Sequence, residues 1–223
     1  MTGFGGPGTL LGRYGLPPEE IERRSLGIVE GATGLLPAEP QARRLLVRIM
    51  YAAGDLGLAP AVVIHPGACA AGSAALRSGA PIICDGGLTA AGVSPRLAAR
   101  LGCLVLQAVD RPEVAEAAAR SRLTRAAEAM ALLSDRLNGA LAVVGTSPTA
   151  LLALLDLADA GVCRPALVVG MPVGFVAAAE SKEELLARDI PFVTIRGTRG
   201  GSPLAAATVN TLLGFAAQGA EQP

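Results

Sequence analysis

From residue 61 onward, short runs of apolar and often β-branched residues alternate with longer Ala- and Leu-rich segments. This alternation restricts the fold more than any other feature, because it is the pattern of repeated βαβ units around a parallel sheet. Six runs predict strands, at 61–65, 81–84, 103–108, 141–145, 166–170 and 191–195. They are apolar throughout, as strands covered on both faces are. Between and after them, helices are expected at 69–78, 94–101, 111–137 with a break near 123–124, 148–160, 182–188 and 203–218. Two amphipathic helices, 18–30 and 39–53, precede the sheet, the first opening on Pro-Pro-Glu-Glu. The expected fold is α/β, a doubly wound, mostly parallel sheet with helices on both faces. It forms a single domain over residues 13–218, behind a flexible Gly-rich leader at 1–12.

Composition narrows the class of function. The chain has 223 residues and is 51% hydrophobic, enough for one sizeable core. It has no Trp and only four Phe and two Tyr, so base-stacking surfaces for single-stranded nucleic acid are poorly supplied. Nineteen basic residues balance nineteen acidic ones, which leaves no long-range steering toward nucleic acid or an acidic membrane. Any anion must be caught locally. Mean hydropathy is +0.47, yet charge, Gly or Pro cuts every apolar stretch short of the roughly 18 to 20 residues of a spanning helix. The first twenty residues lack the pattern of a secretory leader. Cys69, Cys84, Cys103 and Cys163 are widely spaced, with no Cys-x-x-Cys pair, and read as buried reduced thiols of a cytoplasmic protein.

In an open parallel sheet, ligands bind where the carboxyl ends of strands turn into helix N-termini. Three such turns stand out: Gly145-Thr146-Ser147-Pro148-Thr149, with Ser147 as expected N-cap; Gly170-Met171-Pro172-Val173-Gly174-Phe175; and Arg196-Gly197-Thr198-Arg199-Gly200-Gly201-Ser202. Unpaired N–H groups there, with Lys182, Arg196 and Arg199 nearby, suit a carboxylate or phosphate. None of the three is a phosphate loop or a dinucleotide fingerprint, so a nucleotide-binding enzyme is the weaker reading.

Together these segments resemble the precorrin-8X methylmutase family, in the same order from about Arg13 to Phe215. The most specific match is Pro172-Val173-Gly174-Phe175-Val176 followed by Ala178-Ala179-Glu180-Ser181-Lys182. Thr124-Arg125, Gly145 with Pro148-Thr149-Ala150-Leu151, Gly200-Gly201-Ser202 and Arg24-Ser25 support it. The resemblance implies an isomerase of corrin biosynthesis that moves a methyl group from C-11 to C-12 of precorrin-8X or of its cobalt-containing counterpart. It also implies a homodimer with no organic or metal cofactor and an active site in a cleft near the subunit interface. A macrocycle fringed with acetate and propionate groups needs scattered carboxylate receptors, which a neutral protein can supply.

The family's Arg-x-x-His-Ala-x-Gly segment, which carries its catalytic histidine, is matched here by Arg48-Ile49-Met50-Tyr51-Ala52-Ala53-Gly54. Tyrosine stands in the acid position. An ordinary histidine titrates near 6.5 and an ordinary tyrosine near 10, a handicap of roughly 3.5 units, or about 5 kcal/mol of proton-transfer driving force. Three readings follow. Tyr51 serves as hydrogen-bond donor or weak acid; or His65, the sole histidine, reaches the site from the end of its strand; or the chain binds a corrin-like ligand without turnover. His65 also has a purely structural reading, and Asp55 and Asp85 read first as loop caps.

By the same resemblance Ser25 and Arg125 join Tyr51 as catalytic residues. Arg13, Tyr14, Arg48, Ser94 and Thr124 are expected to contact the substrate, as are Thr146, Lys182, Arg199, Gly201 and Ser202. Thr146 is a second departure, because the family usually has asparagine there.

Overall fold

The computed structural model of the chain describes residues 6, 8–32 and 36–219. Three helices come first: α1 (Leu10–Tyr14), α2 (Pro18–Ala32) and α3 (Pro40–Ala53). A 3-10 turn, Leu56–Ala61, leads into β1 (Val62–Ile64), followed by α4 (Ala68–Arg77) and β2 (Ile82–Cys84). Then come α5 (Gly87–Gly92), α6 (Pro95–Arg100), β3 (Val105–Leu106), α7 (Pro112–Ser121), α8 (Arg125–Leu132) and β4 (Leu141–Val144). The chain closes with α9 (Pro148–Asp159), β5 (Leu167–Gly170), α10 (Ala178–Leu186), β6 (Phe192–Ile195) and α11 (Ser202–Gly219).

The strands form one six-stranded sheet in the order β1-β6-β5-β4-β2-β3. Every pairing is parallel except β1 with β6, where Ile64 lies opposite Val193. All six expected strands are present, and the expected break in 111–137 falls between α7 and α8. Alternate side chains of each strand feed two cores. Ile82, Leu141, Val143, Leu167, Val169 and Val193 face α4, α5, α6 and α11, whereas Ile83, Ala142, Val144 and Val168 face α7, α8, α9 and α10. Each Val, Leu or Ile among them taken fully out of water contributes about 1.5–3 kcal/mol.

Helix α3 is amphipathic on two sides, which is why it sits between two other helices. Leu45 and Ile49 join the core under α11, while Leu46, Val47 and Met50 pack with Val29 of α2. Gly54, left-handed at φ 61°, ends the helix, and its N–H donates to Met50 O and Tyr51 O.

Two short helices were not expected. α1 begins inside the expected 1–12 leader, because Thr9 caps it by accepting from Gly12 N; residues 1–5 and 7 of that leader lie outside the described residues. α5 follows β2 with Gly92 close enough to α11 that a Cβ there would lie 2.6 Å from Ala206 Cβ. α10 starts at Ala178, four residues before the expected 182, which moves Lys182 from a helix start into the second turn.

Candidate functional site

The order of the sheet reverses between β2 and β4, and a buried polar cluster occupies the carboxyl ends of these two strands. Asp85 follows β2 and is almost fully buried. Its Oδ2 accepts from Thr146 N at 2.7 Å and Ser147 N at 2.8 Å, and its Oδ1 accepts from Thr89 Oγ1 at 2.7 Å. Each hydroxyl carries one proton, so the remaining bonds have a direction. With the Thr89 proton on Asp85, Ser202 Oγ donates to Thr89 at 2.8 Å and Thr146 Oγ1 donates to Ser202 at 2.9 Å. A Cβ on Gly145 would lie 2.7 Å from Ser202 Cα, so only glycine lets α11 start this close to β4.

This arrangement corrects two expectations. The N–H groups of the turn into α9, Thr146 N and Ser147 N, are not open to an external anion, because Asp85 already holds them, and Ser147, the N-cap by position, forms no side-chain cap. Asp85 is thus a cap, across 61 residues of sequence. Ser202, expected to contact substrate, is buried with its proton committed to Thr89. Thr146 remains exposed, but offers a ligand acceptor lone pairs rather than a proton.

Lys182 is corrected as well. Expected to receive an anion, it is 0% exposed, and its ammonium donates to Pro172 O at 3.0 Å and Arg199 O at 2.8 Å. It clamps the β5–α10 loop to the β6–α11 loop. Gly201 N donates to Met171 O across the same seam, and a Cβ on Gly200 would meet Met171 O at 2.3 Å. Burial pushes the Lys182 amine down to about 8. Between that value and the ordinary lysine range the unfolded chain holds a proton that the folded chain lacks, so folding stability rises with pH through this window. Lys182→Met is expected to abolish that rise, measured as the difference in urea stability between about pH 7.5 and about pH 9.5. An unchanged pH dependence in the variant would contradict this assignment.

The open part of the site lies beside this rim, at the end of α3. Three adjoining hollows meet there. One of about 340 Å³ between α2 and α3 is lined by Ser25, Ile28, Met50 and Tyr51. A second, about 330 Å³, runs between α3 and α11 past Arg44, Arg48, Tyr51, Asn210 and Thr211. The third, also about 330 Å³, is walled by Asp55, Val173, Arg199 and Gly200. Tyr51, 40% exposed, is shared by the first two. Ser25 Oγ donates to Ile21 O at 2.7 Å, so its lone pairs are what it presents. Arg48 pairs with Glu22 at 2.6 Å and Arg199 with Asp55 at 2.7 Å, both partly exposed to solvent. Such pairs are worth about 0–1 kcal/mol, so either guanidinium can exchange its partner for a ligand carboxylate at little cost. A larger hollow of about 370 Å³ opens at the amino ends of the strands, but its Arg188 is tied to Asp159 and Glu184.

The structure therefore brings Ser25, Arg48 and Tyr51 together, with Arg199 one hollow away. Thr124 caps α8 and bonds Thr149 at 2.6 Å, which places the adjacent, exposed Arg125 on the β4–α9 side of the rim. Ser94 caps α6. Arg13 and Tyr14 lie exposed on α1, stacked on each other at 5.9 Å. Arg44, Asn210 and Thr211 were missed, because single polar residues on helices carry no motif.

His65 is excluded from the site by topology. β1 runs antiparallel to β6, so its carboxyl end lies at the amino ends of the other strands, where His65 N donates to Phe192 O. Its ring packs edge-on against Phe192, and Nδ1 accepts from Gly67 N. All four cysteines are buried and free, and burial pushes the Cys69 and Cys84 thiols up to about 11 and about 12. Among the described residues no helix is long and apolar enough to cross a membrane.

The profile of the precorrin-8X methylmutase family matches residues 20–215. The chain belongs to this family. It is 42% identical over 199 residues to the precorrin-8X methylmutase of Pseudomonas aeruginosa, covering 87% of this chain and 94% of that one. It is 33% identical to the cobalt-precorrin-8 methylmutase of Priestia megaterium, covering 87% of each. Among solved structures, the precorrin-8X methylmutase from Thermus thermophilus superposes with a TM-score of 0.83 at 35% identity, covering 90% of this chain and 97% of that one. The methylmutase family thus shares this chain's α/β fold.

Proposed function

We propose that the chain catalyses the methyl shift from C-11 to C-12 of precorrin-8X or its cobalt-containing counterpart, with residues 13–218 acting as one unit. The observation that carries this reading is the position of Tyr51. It stands between two hollows at the ligand-binding rim, with Arg48 and Ser25 lining the walls beside it. Its phenol lends a proton or a hydrogen bond to the macrocycle as the methyl group migrates, and the reaction, being an isomerisation, releases as many protons as it takes up. Arg48, Arg125 and Arg199 receive peripheral carboxylates. The relatives matched over 94% and 87% of their own length are methylmutases by name, which favours turnover over binding alone.

The β5–α10 loop supports a homodimer. Phe175 and Val176 are 93% and 83% exposed and adjoin the exposed Val173, apolar surface of the kind that partner subunits cover. Free cysteines in every case suit the cytoplasm. The reading is tested by titrating the protein with the metal-free corrin acid that the reaction would produce and following visible absorption. Saturable band shifts are expected, with affinity about tenfold weaker for Arg48→Ala. An unchanged spectrum would remove the substrate assignment.

A further inference from the structure

Asn210 lies on α11, more than a hundred residues from the turn between α5 and α6, yet both of its side-chain atoms are committed to that turn. Its Oδ1 accepts from Ser94 N at 2.7 Å, and its Nδ2 donates to Gly92 O at 2.9 Å. An acceptor facing an N–H and a donor facing a carbonyl, side by side, is a pairing that the carboxamide makes with both of its polar atoms and that an ionised carboxylate cannot make. Between the two bonded residues, Val93 is buried, and Gly92 sits directly on Ala206 of α11. The same asparagine lines the hollow shared by Tyr51 and Arg48. Asn210 thus stands where α3, α11 and the α5–α6 turn meet.

We infer that Asn210 is a positioning residue of the site, which locks the α5–α6 turn onto α11 and thereby holds Ser94 beside the groove that Tyr51 lines. The inference rests on the proposed tetrapyrrole site and extends it to a residue with no recognisable motif. Aspartate at 210 keeps the acceptor for Ser94 N–H but sets an oxygen against Gly92 O; alanine loses both bonds.

The test compares Asn210→Asp, Asn210→Ala, Ser94→Ala and the Asn210→Asp, Ser94→Ala double variant with the native protein. Amide hydrogen exchange of the turn is read without ligand, and affinity for the metal-free corrin acid is read by absorption. Exchange at residues 93–97 is expected to rise about tenfold in Asn210→Ala, and the affinity of Asn210→Asp to fall about tenfold. In the Ser94→Ala background the same Asn210→Asp change is expected to cost little more, because its effect passes through Ser94. If Asn210→Ala does not fold, exchange is read on Asn210→Asp, which retains one of the two bonds. Unchanged exchange, unchanged affinity, or losses that simply add would overturn the inference. Failure of the native protein to bind the acid would instead overturn the site itself, and is visible before any variant is measured.

Discussion

Asp85→Ala is expected to lower the free energy of unfolding by about 3 kcal/mol or more, measured by urea denaturation. The carboxylate is the acceptor for two backbone N–H groups and one buried hydroxyl, and alanine leaves all three facing a space that its own side chain cannot fill. Asp85→Asn should recover most of the loss. Its amide oxygen can replace Oδ2 against Thr146 N and Ser147 N, and its amino group can donate to Thr89 once that hydroxyl turns. About 1 kcal/mol of charge-assisted bonding would be missing. A loss below about 1 kcal/mol for Asp85→Ala would show that the rim does not depend on this cap.

Tyr51→Phe is expected to lower turnover by about 10² to 10⁴-fold, the usual contribution of a positioned acid, while leaving stability nearly unchanged. Tyr51 is partly exposed on the last turn of α3, and no packing is lost with its hydroxyl. Tyr51→His restores the residue type that the family resemblance places here, and is expected to retain or exceed native activity. A Tyr51→Phe variant with native turnover would move the proton donor elsewhere among the lining groups.

The strands were legible because an apolar run bounded by Gly or Pro has few other uses in a chain of this length. Their directions were not. Nothing within residues 61–65 says that β1 runs against its neighbours, yet that direction carries His65 to the far end of the sheet. α1 and α5 leave no readable pattern, because helices of five and six residues show too little periodicity. The family motif pointed to Tyr51, Ser25 and Arg48, and the structure gathers these three around two adjoining hollows. The motif did not separate residues that face a ligand from those that hold the rim together. A lysine after a glycine-rich loop reads as an anion receptor, and only its burial between two carbonyls identifies Lys182 as a clamp. Ser202 became structural for the same kind of reason, a hydroxyl proton already committed to Thr89.

The Lys182 clamp and the Asp85 cap, joined through Ser202, together tie the β2–α5, β4–α9, β5–α10 and β6–α11 loops into one rim. Both commit polar groups at the strand ends to internal bonds. The exchangeable cations are therefore those in weak, partly exposed ion pairs, Arg48 and Arg199. This suits a substrate that carries carboxylates around its edge.

The central claim is that Tyr51 does the work of the family's histidine. It is tested most directly by anaerobic conversion of precorrin-8X by the native protein, followed by visible absorption alongside Tyr51→Phe and Tyr51→His. The account predicts turnover by the native protein, loss in Tyr51→Phe and activity in Tyr51→His; turnover by Tyr51→His alone would contradict it.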